Sequence, residues 1–523
     1  MLSSTLGGYS FDTKEGQYFQ VFRTRTASEL SGFFDSDFWT RSVLQESHWE
    51  ASIRHAVVAL GALYKTLEAA SESPPGSPQH HHSAETAPDH YCFALIQYGK
   101  AIKRLRESLE KNEAASRRTV LISIVLFTCF QSFTGDHKAA IFQVQSGLRL
   151  LEELHPAVKT PAGGAEDELV QMFTRLAIQA KSYDMAFHFP PPYVIQLSPK
   201  HNPTSPQSPS LQSDAASTTS VDSQIPEHFT TTQEARSSLD SLQERILRFN
   251  EALSSFYAGP NNLLPSSIQS HGVGYRTQLH QWGVAFERLL KNRRQPGITN
   301  TERAAIDVLK MTHITTTVLF LMGFSAAETD FDKFLPKFRQ LVDLAKEVVV
   351  DEELSIAEAR CGDSKHCRHR RAYSGNGNHM QFPGISTHGS KADGSYSHLK
   401  ASFALDLGIV PPLFVVATKC RDRMLRREAI ALLMSSPRRE GMWDSLLCGK
   451  VGEWIMEVEE TGMMEFEMFN PVSTSELVEE DKRVMIKEIL FDLQSRTATL
   501  RCGTRGAMEG DADVRAKETH ISW

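Results

Sequence analysis

Residues 51–67 read ASIRHAVVALGALYKTL. Ile53, Val57, Leu60, Tyr64 and Leu67 recur at steps of three and four, which lays one apolar stripe along a helix. The same spacing returns in Leu95, Tyr98, Ile102, Leu105 and Leu109, and in Ile141, Val144, Leu148 and Leu151. It continues in Leu169, Met172, Leu176, Tyr183 and Phe187, and in Phe331, Phe334, Phe338, Leu341, Ala345 and Val348. Each stripe is expected to face a core. No run of alternating strand residues stands out, and no fixed repeat of roughly 30–45 residues is visible. The expected fold class is all-α, a multi-helix body with long disordered linkers.

Start and stop signals support the helices. Asp136 sits where an N-cap would serve the helix running to Leu154, and Thr299 with Glu302 has capping-box spacing ahead of Ile306. Pro411 and Pro412 pre-set the first turn of a late helix, Asp422 caps the next, and Pro437 closes it. Leu239, Leu242, Ile246, Phe249, Leu253 and Phe256 keep 3-4 spacing over fewer than three heptads. That is too short to name a coiled coil, so this is expected to be a core-facing helix.

Composition shifts divide the chain. Residues 1–17 form a leader, 18–189 the first half of the helical body with a linker at 71–88, and 190–231 a Pro/Ser/Thr linker. Residues 232–351 hold middle helices, 352–401 a Gly/His-rich basic loop, 402–500 the C-terminal helices and 501–523 a polar tail. The 190–231 stretch has eight prolines, thirteen Ser/Thr and no glycine, too little apolar surface to fold on its own.

Several functions are excluded or left unsupported. A net charge of −7 and a pI near 6.3 argue against attachment to nucleic acid by bulk positive charge. The seven cysteines are scattered, which fits a reducing compartment better than a disulfide scaffold. No signal peptide is indicated, and the apolar runs Val120–Phe130 and Leu407–Ala417 are short of the ~20 residues that span a bilayer. Zincin, P-loop and Rossmann spacings are absent, and Gly384–Gly389 misses the nucleophile-elbow spacing by one residue. Catalytic, cofactor-binding and metal site residues are all expected to be none.

Four clusters have both a functional and a plainer reading. Cys361, His366, Cys367 and His369 are metal-ligand types, but their spacing departs from the paired pattern of structural zinc, so a solvated loop is the better reading. The His80-His81-His82 run is weaker still. Arg360, Lys365, Arg368, Arg370 and Arg371 make a basic run of the kind used for nuclear import, again set against a loop. Glu457 to Asp481 holds nine acidic residues and no Lys or Arg, with Met463–Phe469 inside it. An acidic helix end followed by a packed turn is favoured there over an activation segment.

The C-terminal third carries a resemblance. It reads LGIVPPLFVVATKCRD at 407–422, LRREAI at 425–430, PRREGMWD at 437–444 and EWI at 453–455. At the other end stand Tyr18-Phe19-Gln20, LSGFFD at 30–35, Phe38-Trp39 and IRHAVVALGAL at 53–63. Between them come His90-Tyr91, Tyr98 to Ile102, Cys129-Phe130 and Gly147-Leu148. In this order and spacing, from about Tyr18 to about Glu460, the chain resembles the helical regulatory region of the fungal binuclear zinc-cluster transcription factors. The family's DNA reader packs six thiolates around two zinc ions. Here the first cysteine is Cys92, and only Cys361 and Cys367 lie close together, so the cluster is missing from this chain.

The resemblance implies a nuclear protein (with the cytoplasm as the alternative) that controls transcription without catalysis. Its expected partners are the transcription machinery or other regulators, with a homodimer or heterodimer and a small-molecule effector left open. Direct DNA binding and membrane association by this chain are not expected. A helical interaction scaffold without a transcriptional role is the alternative. Ser198, Ser205 and Ser208 precede prolines and are candidate phosphate acceptors.

Overall fold

The computed structural model describes residues 5–6, 9–10, 12–34, 37–72, 86–110, 117–154, 165–188, 195–197, 225–257, 266–325, 327–361, 398–461, 478–507 and 512–523. Helices dominate them, as the stripes require. The first eight are α1 (Thr13–Val21), α2 (Ala27–Leu30), α3 (Val43–Trp49), α4 (Ala51–Glu72), α5 (Ala87–Glu110), α6 (Arg117–Thr134), α7 (His137–Leu154) and α8 (Ala165–Phe187). Then come α9 (Thr232–Tyr257), α10 (Ser266–Asn292), α11 (Asn300–Met322), α12 (Leu335–Cys361), α13 (Val410–Lys419), α14 (Arg423–Ser435) and α15 (Ser445–Glu460).

The end signals fold as their chemistry dictates. Asp136 accepts from Ala139 N, Thr299 from Glu302 N, and Asp422 from Leu425 N, each satisfying an amide that the helix leaves open. The stripe of α4 is buried at Ile53, Val57, Leu60 and Tyr64, and that of α9 at Leu239, Leu242, Ile246 and Leu253. Helix α9 is therefore a core helix, as its short heptad run predicts. Gly61 is required where α4 crosses α1: a Cβ there would stand 2.2 Å from the Tyr18 carbonyl oxygen.

Helix α5 departs from expectation. Leu95, Ile102 and Leu109 stay 42–51% exposed, while His90, Ala94, Gln97 and Ala101 are buried. The two alanines let α5 lie close on α4, so its larger apolar residues flank the contact instead of filling it.

Strands also occur. Two residues each at Thr5–Leu6 (β1) and Tyr9–Ser10 (β2) pair antiparallel. β3 (Ser402–Ala404) runs parallel to β4 (Arg438–Glu440), which pairs antiparallel with β5 (Trp443–Asp444). β6 (Met485–Asp492), β7 (Thr497–Gly503) and β8 (Lys517–Ser522) form an antiparallel meander. The polar tail expected over 501–523 thus carries the end of β7 and all of β8. The sequence hid it because a bulge between Ile486 and Glu488 breaks the alternation of β6, and β8 is a polar edge strand. The sheet docks where Phe491 meets His137, Tyr183 and Phe187.

Other boundaries shift as well. Helix α12 continues ten residues past 351, and α4 and α5 reach into 71–88. Ile195, Leu197 and Phe229, within 190–231, are buried. Ser198, Ser205 and Ser208 lie outside the described residues.

Helix α11 is the one described helix long and apolar enough to cross a membrane by length and composition. Two thirds of that window is buried inside the fold, and it carries Asp307, Lys310 and His313, so it reads as a core helix. Burial pushes the Asp307 carboxyl up to about 7, with Arg293 pulling it down and Glu347 and Asp351 pushing it up. A raised folded-state value means Asp307 contributes its stability at low pH and loses it as pH rises toward about 7. The melting temperature of the wild type is expected to fall from about pH 4 to about pH 7 more steeply than that of Asp307→Asn. Equal slopes in a pH series of thermal melts would refute this.

Candidate functional site

Four elements meet around one cavity. Helix α8 contributes Met172, Arg175 and Gln179; α9 contributes Arg236 and Asp240; α11 contributes Val308, Leu309 and Thr312; and Leu405–Leu407 closes the wall. The cavity holds about 70 Å³. Its walls are apolar at Met172, Val308 and Leu309 and charged at one side.

The charged side is built from neighbouring helix faces. Arg236 and Asp240 lie one turn apart on α9, and Arg236 Nη2 reaches Asp406 at 2.7 Å. Arg175 stands 4.0 Å from the same carboxylate. The Arg236 guanidinium also lies 3.9 Å over the Phe34 ring. Burial, then the like charge of Arg236, lowers the Arg175 value, and Asp406 opposes both. Burial raises the Asp240 carboxyl, against the pull of Arg236 and Arg175. Arg175 Nε, Arg236 Nη1 and Gln179 Oε1 are buried without a hydrogen-bond partner among the described residues. Such groups are costly unless something completes them.

The wall at 404–407 is held by hydrogen bonds with α8, with the end of α2 and with the turn after β4. Gln179 Nε2 donates to Leu405 O at 2.7 Å, Gly441 N donates to Ala404 O at 2.7 Å, and Leu405 N donates to Leu30 O. Gly441 has φ +57, and a Cβ there would strike the Gln179 amide, so both its dihedral and its lack of side chain are used. Just beyond, Glu440 accepts from Gly408, Ile409 and Val410 N at 2.8–3.0 Å. The motif at 437–444 therefore caps the helix begun by the motif at 407–412, whose two prolines leave no further N–H to offer.

A second charged centre ties α13, α14 and α15 to the C-terminal sheet. Glu459 takes Arg421 Nη2 at 2.6 Å, Arg426 Nη2 at 2.5 Å and Val484 N at 3.0 Å, and all three side chains are fully buried. Glu328 gathers Lys419, Arg421 and Arg505 at 2.8–3.3 Å. The start of the acidic stretch is thus an inward counter-ion set. Glu460 likewise pairs with Arg423 and Arg427. Met463–Phe469 lies outside the described residues.

Of the metal-ligand residue types near 361–369, Cys361 ends α12, with its Sγ 3.3 Å from His398 Nε2. His366, Cys367, His369 and His80–His82 lie outside the described residues, as do Lys365, Arg368, Arg370 and Arg371. No group of three or more His, Cys, Asp or Glu able to hold a metal occurs among the described residues. The cavity charges escaped the sequence reading because Arg175, Arg236 and Asp406 are single charges about 60 and 170 residues apart. The Arg236/Asp240 pair at one-turn spacing is the signal that was available.

The arrangement provides balanced charge, open donors and an apolar wall. These are features of a binding site. The same lining also carries the Thr312 hydroxyl and the Asp240 and Asp406 carboxylates.

No family profile matches the chain, and no solved structure does. The chain is 24% identical over 437 residues to the aspercryptin biosynthesis cluster-specific transcription regulator atnN of Emericella nidulans, a match covering 76% of this chain. The chain spans 66% of that relative's length. This likeness supports a relationship to fungal transcription factors.

Proposed function

We propose that this chain is the helical regulatory region of a fungal transcription regulator and that the cavity between α8, α9, α11 and Leu405–Leu407, about 70 Å³ as it stands, opens at the Leu405–Leu407 wall to receive a small-molecule effector. The observation that carries the reading is the likeness to a cluster-specific transcription regulator over most of the chain. The mechanism involves binding alone. A ligand that completes Arg175 and Arg236 competes with Asp406, so it favours a different seating of the 404–407 wall against α8 and α9. That shifts the population that recruits or releases partners. The site of action is the nucleus, and the partners are the transcription machinery or other regulators. The missing zinc cluster leaves direct DNA reading outside this chain.

The test fuses residues 1–523 to a heterologous DNA-binding module and reads a reporter. Output above or below that of the module alone supports the proposal. Output equal to the module alone, together with unchanged transcripts on gene deletion, overturns it. The cavity pair has its own expected result. Arg236→Met alone is expected to cost roughly 3 kcal/mol, because it leaves the Asp406 carboxylate facing only Arg175 at 4.0 Å, and Arg236→Met with Asp406→Asn is expected to cost less. Urea unfolding of the three proteins checks the sign, and a double variant less stable than the single would refute the coupling.

A further inference from the structure

The end of α12 and the segment leading into β3 bring together three side chains that the cavity does not use. Cys361 Sγ lies 3.3 Å from His398 Nε2, and His398 Nδ1 lies 2.8 Å from Glu353 Oε1, about two turns back on α12. The Glu353 carboxylate also accepts from His398 N at 3.0 Å and Leu399 N at 2.8 Å. Its side chain is 2% exposed and that of His398 15%. The backbone and ring of His398 are thus both fastened to one buried carboxylate. With Nδ1–H donated to that carboxylate, Nε2 presents its lone pair to the sulfur. This is nucleophile, base and orienting acid in order.

The other described cysteines differ. Cys129, Cys420, Cys448 and Cys502 are buried, and burial pushes their thiols up, those of Cys420 and Cys502 to about 11. Cys92 is exposed, and Cys361 is half-buried.

We infer that Cys361 is a nucleophilic thiol, with His398 as its base and Glu353 as a positioning residue, that adds to soft carbon electrophiles of the α,β-unsaturated carbonyl class. The S–H proton passes to His398 Nε2 as sulfur bonds to the β carbon. The C=C electron pair moves to the carbonyl oxygen as an enolate, and the imidazolium returns the proton to the α carbon. A thioether results, with no oxidant or reductant needed. Cys361 ends its helix, where the macrodipole disfavours a preformed thiolate. Deprotonation is therefore concerted with attack, which makes the reaction depend on the base. An adduct at Sγ would crowd the His398 ring and disturb its tether to Glu353. The same strand of chain runs from His398 through β3 to the cavity wall at Leu405–Leu407, so modification would reach the proposed effector site. This consequence rests on the function proposed above, whereas the reactivity does not.

The experiment treats the full chain with limiting N-ethylmaleimide near neutral pH and quantifies each cysteine by peptide mass, with Cys92 as the exposed reference. Cys361 is expected to react on the order of tenfold faster than Cys92. His398→Gln and Glu353→Gln are expected to remove that advantage and leave the Cys92 rate unchanged. A Cys361 rate no higher than that of Cys92, or one indifferent to His398→Gln, overturns the inference. Buried Cys129 reports unfolding. Should it react in a variant, the wild-type comparison of Cys361 with Cys92 decides alone. Alkylation as expected with an inert reporter fusion would sink only the proposed transcriptional role, and the reverse result would sink only the thiol.

Discussion

Replacing Glu459 by alanine is expected to cost roughly 3–5 kcal/mol, enough to unfold a marginally stable chain at physiological temperature. Its carboxylate is the shared counter-ion of Arg421 and Arg426, all three fully buried, and it also holds Val484 N at the start of β6. Removing it strands Arg426, whose Nη1 already has no partner among the described residues, and loosens the sheet from α15. The pH dependence carries the same signature. Burial alone would raise the Glu459 carboxyl, but Arg426 and Arg421 pull it below its ordinary value of 4.5. Glu328 is lowered in the same way by Lys419 and Arg421. A depressed folded-state value gives stability that is present above the unfolded value and lost as pH falls through the folded one. The wild type is therefore expected to lose stability steeply below about pH 4.5, and Glu459→Gln to lose less over that window. Denaturant unfolding across that range checks it, and parallel curves would count against the assignment.

Glu440→Ala is expected to cost roughly 3 kcal/mol or more, since it leaves three buried N–H donors without an acceptor. Those donors belong to Gly408, Ile409 and Val410, at the entry to α13. Glu440→Gln keeps one acceptor oxygen and is expected to cost less than half as much. Because Glu440 also anchors β4 beside β3, hydrogen exchange should quicken at Phe403 and Leu405 as well as in α13. Loss confined to α13 would show that the cap and the cavity wall are independent.

Much of the helical body was legible because its signals are local. An apolar stripe such as Ile53 to Tyr64, or a cap such as Asp422 ahead of Leu425, is written within one or two turns. Helix α5 misled because a stripe states only that a face is apolar, and the alanines beside it set the contact. Ala498, Leu500 and Cys502 do alternate with half-buried Thr499 and exposed Arg501, so β7 was readable, but seven residues against a polar partner made a faint signal. The cavity was not legible. Arg236 and Asp406 are polar residues at unremarkable positions until folding sets them 2.7 Å apart. Local chemistry in the sequence cannot express a pairing across 170 residues.

The way the last third completes the first bears on synthesis. Tyr64 donates to the carbonyl of Phe403, Gln179 to that of Leu405, and Arg439 to those of Ser132 and Phe133. A ribosome adding about 5–20 residues per second needs tens of seconds to travel from the first of these partners to the last. During that interval α4, α6 and α8 are outside the ribosome with one side of their core uncovered. The nascent chain is therefore a sustained client for holding chaperones, and slow codons between residues 190 and 400 would lengthen its exposure to aggregation.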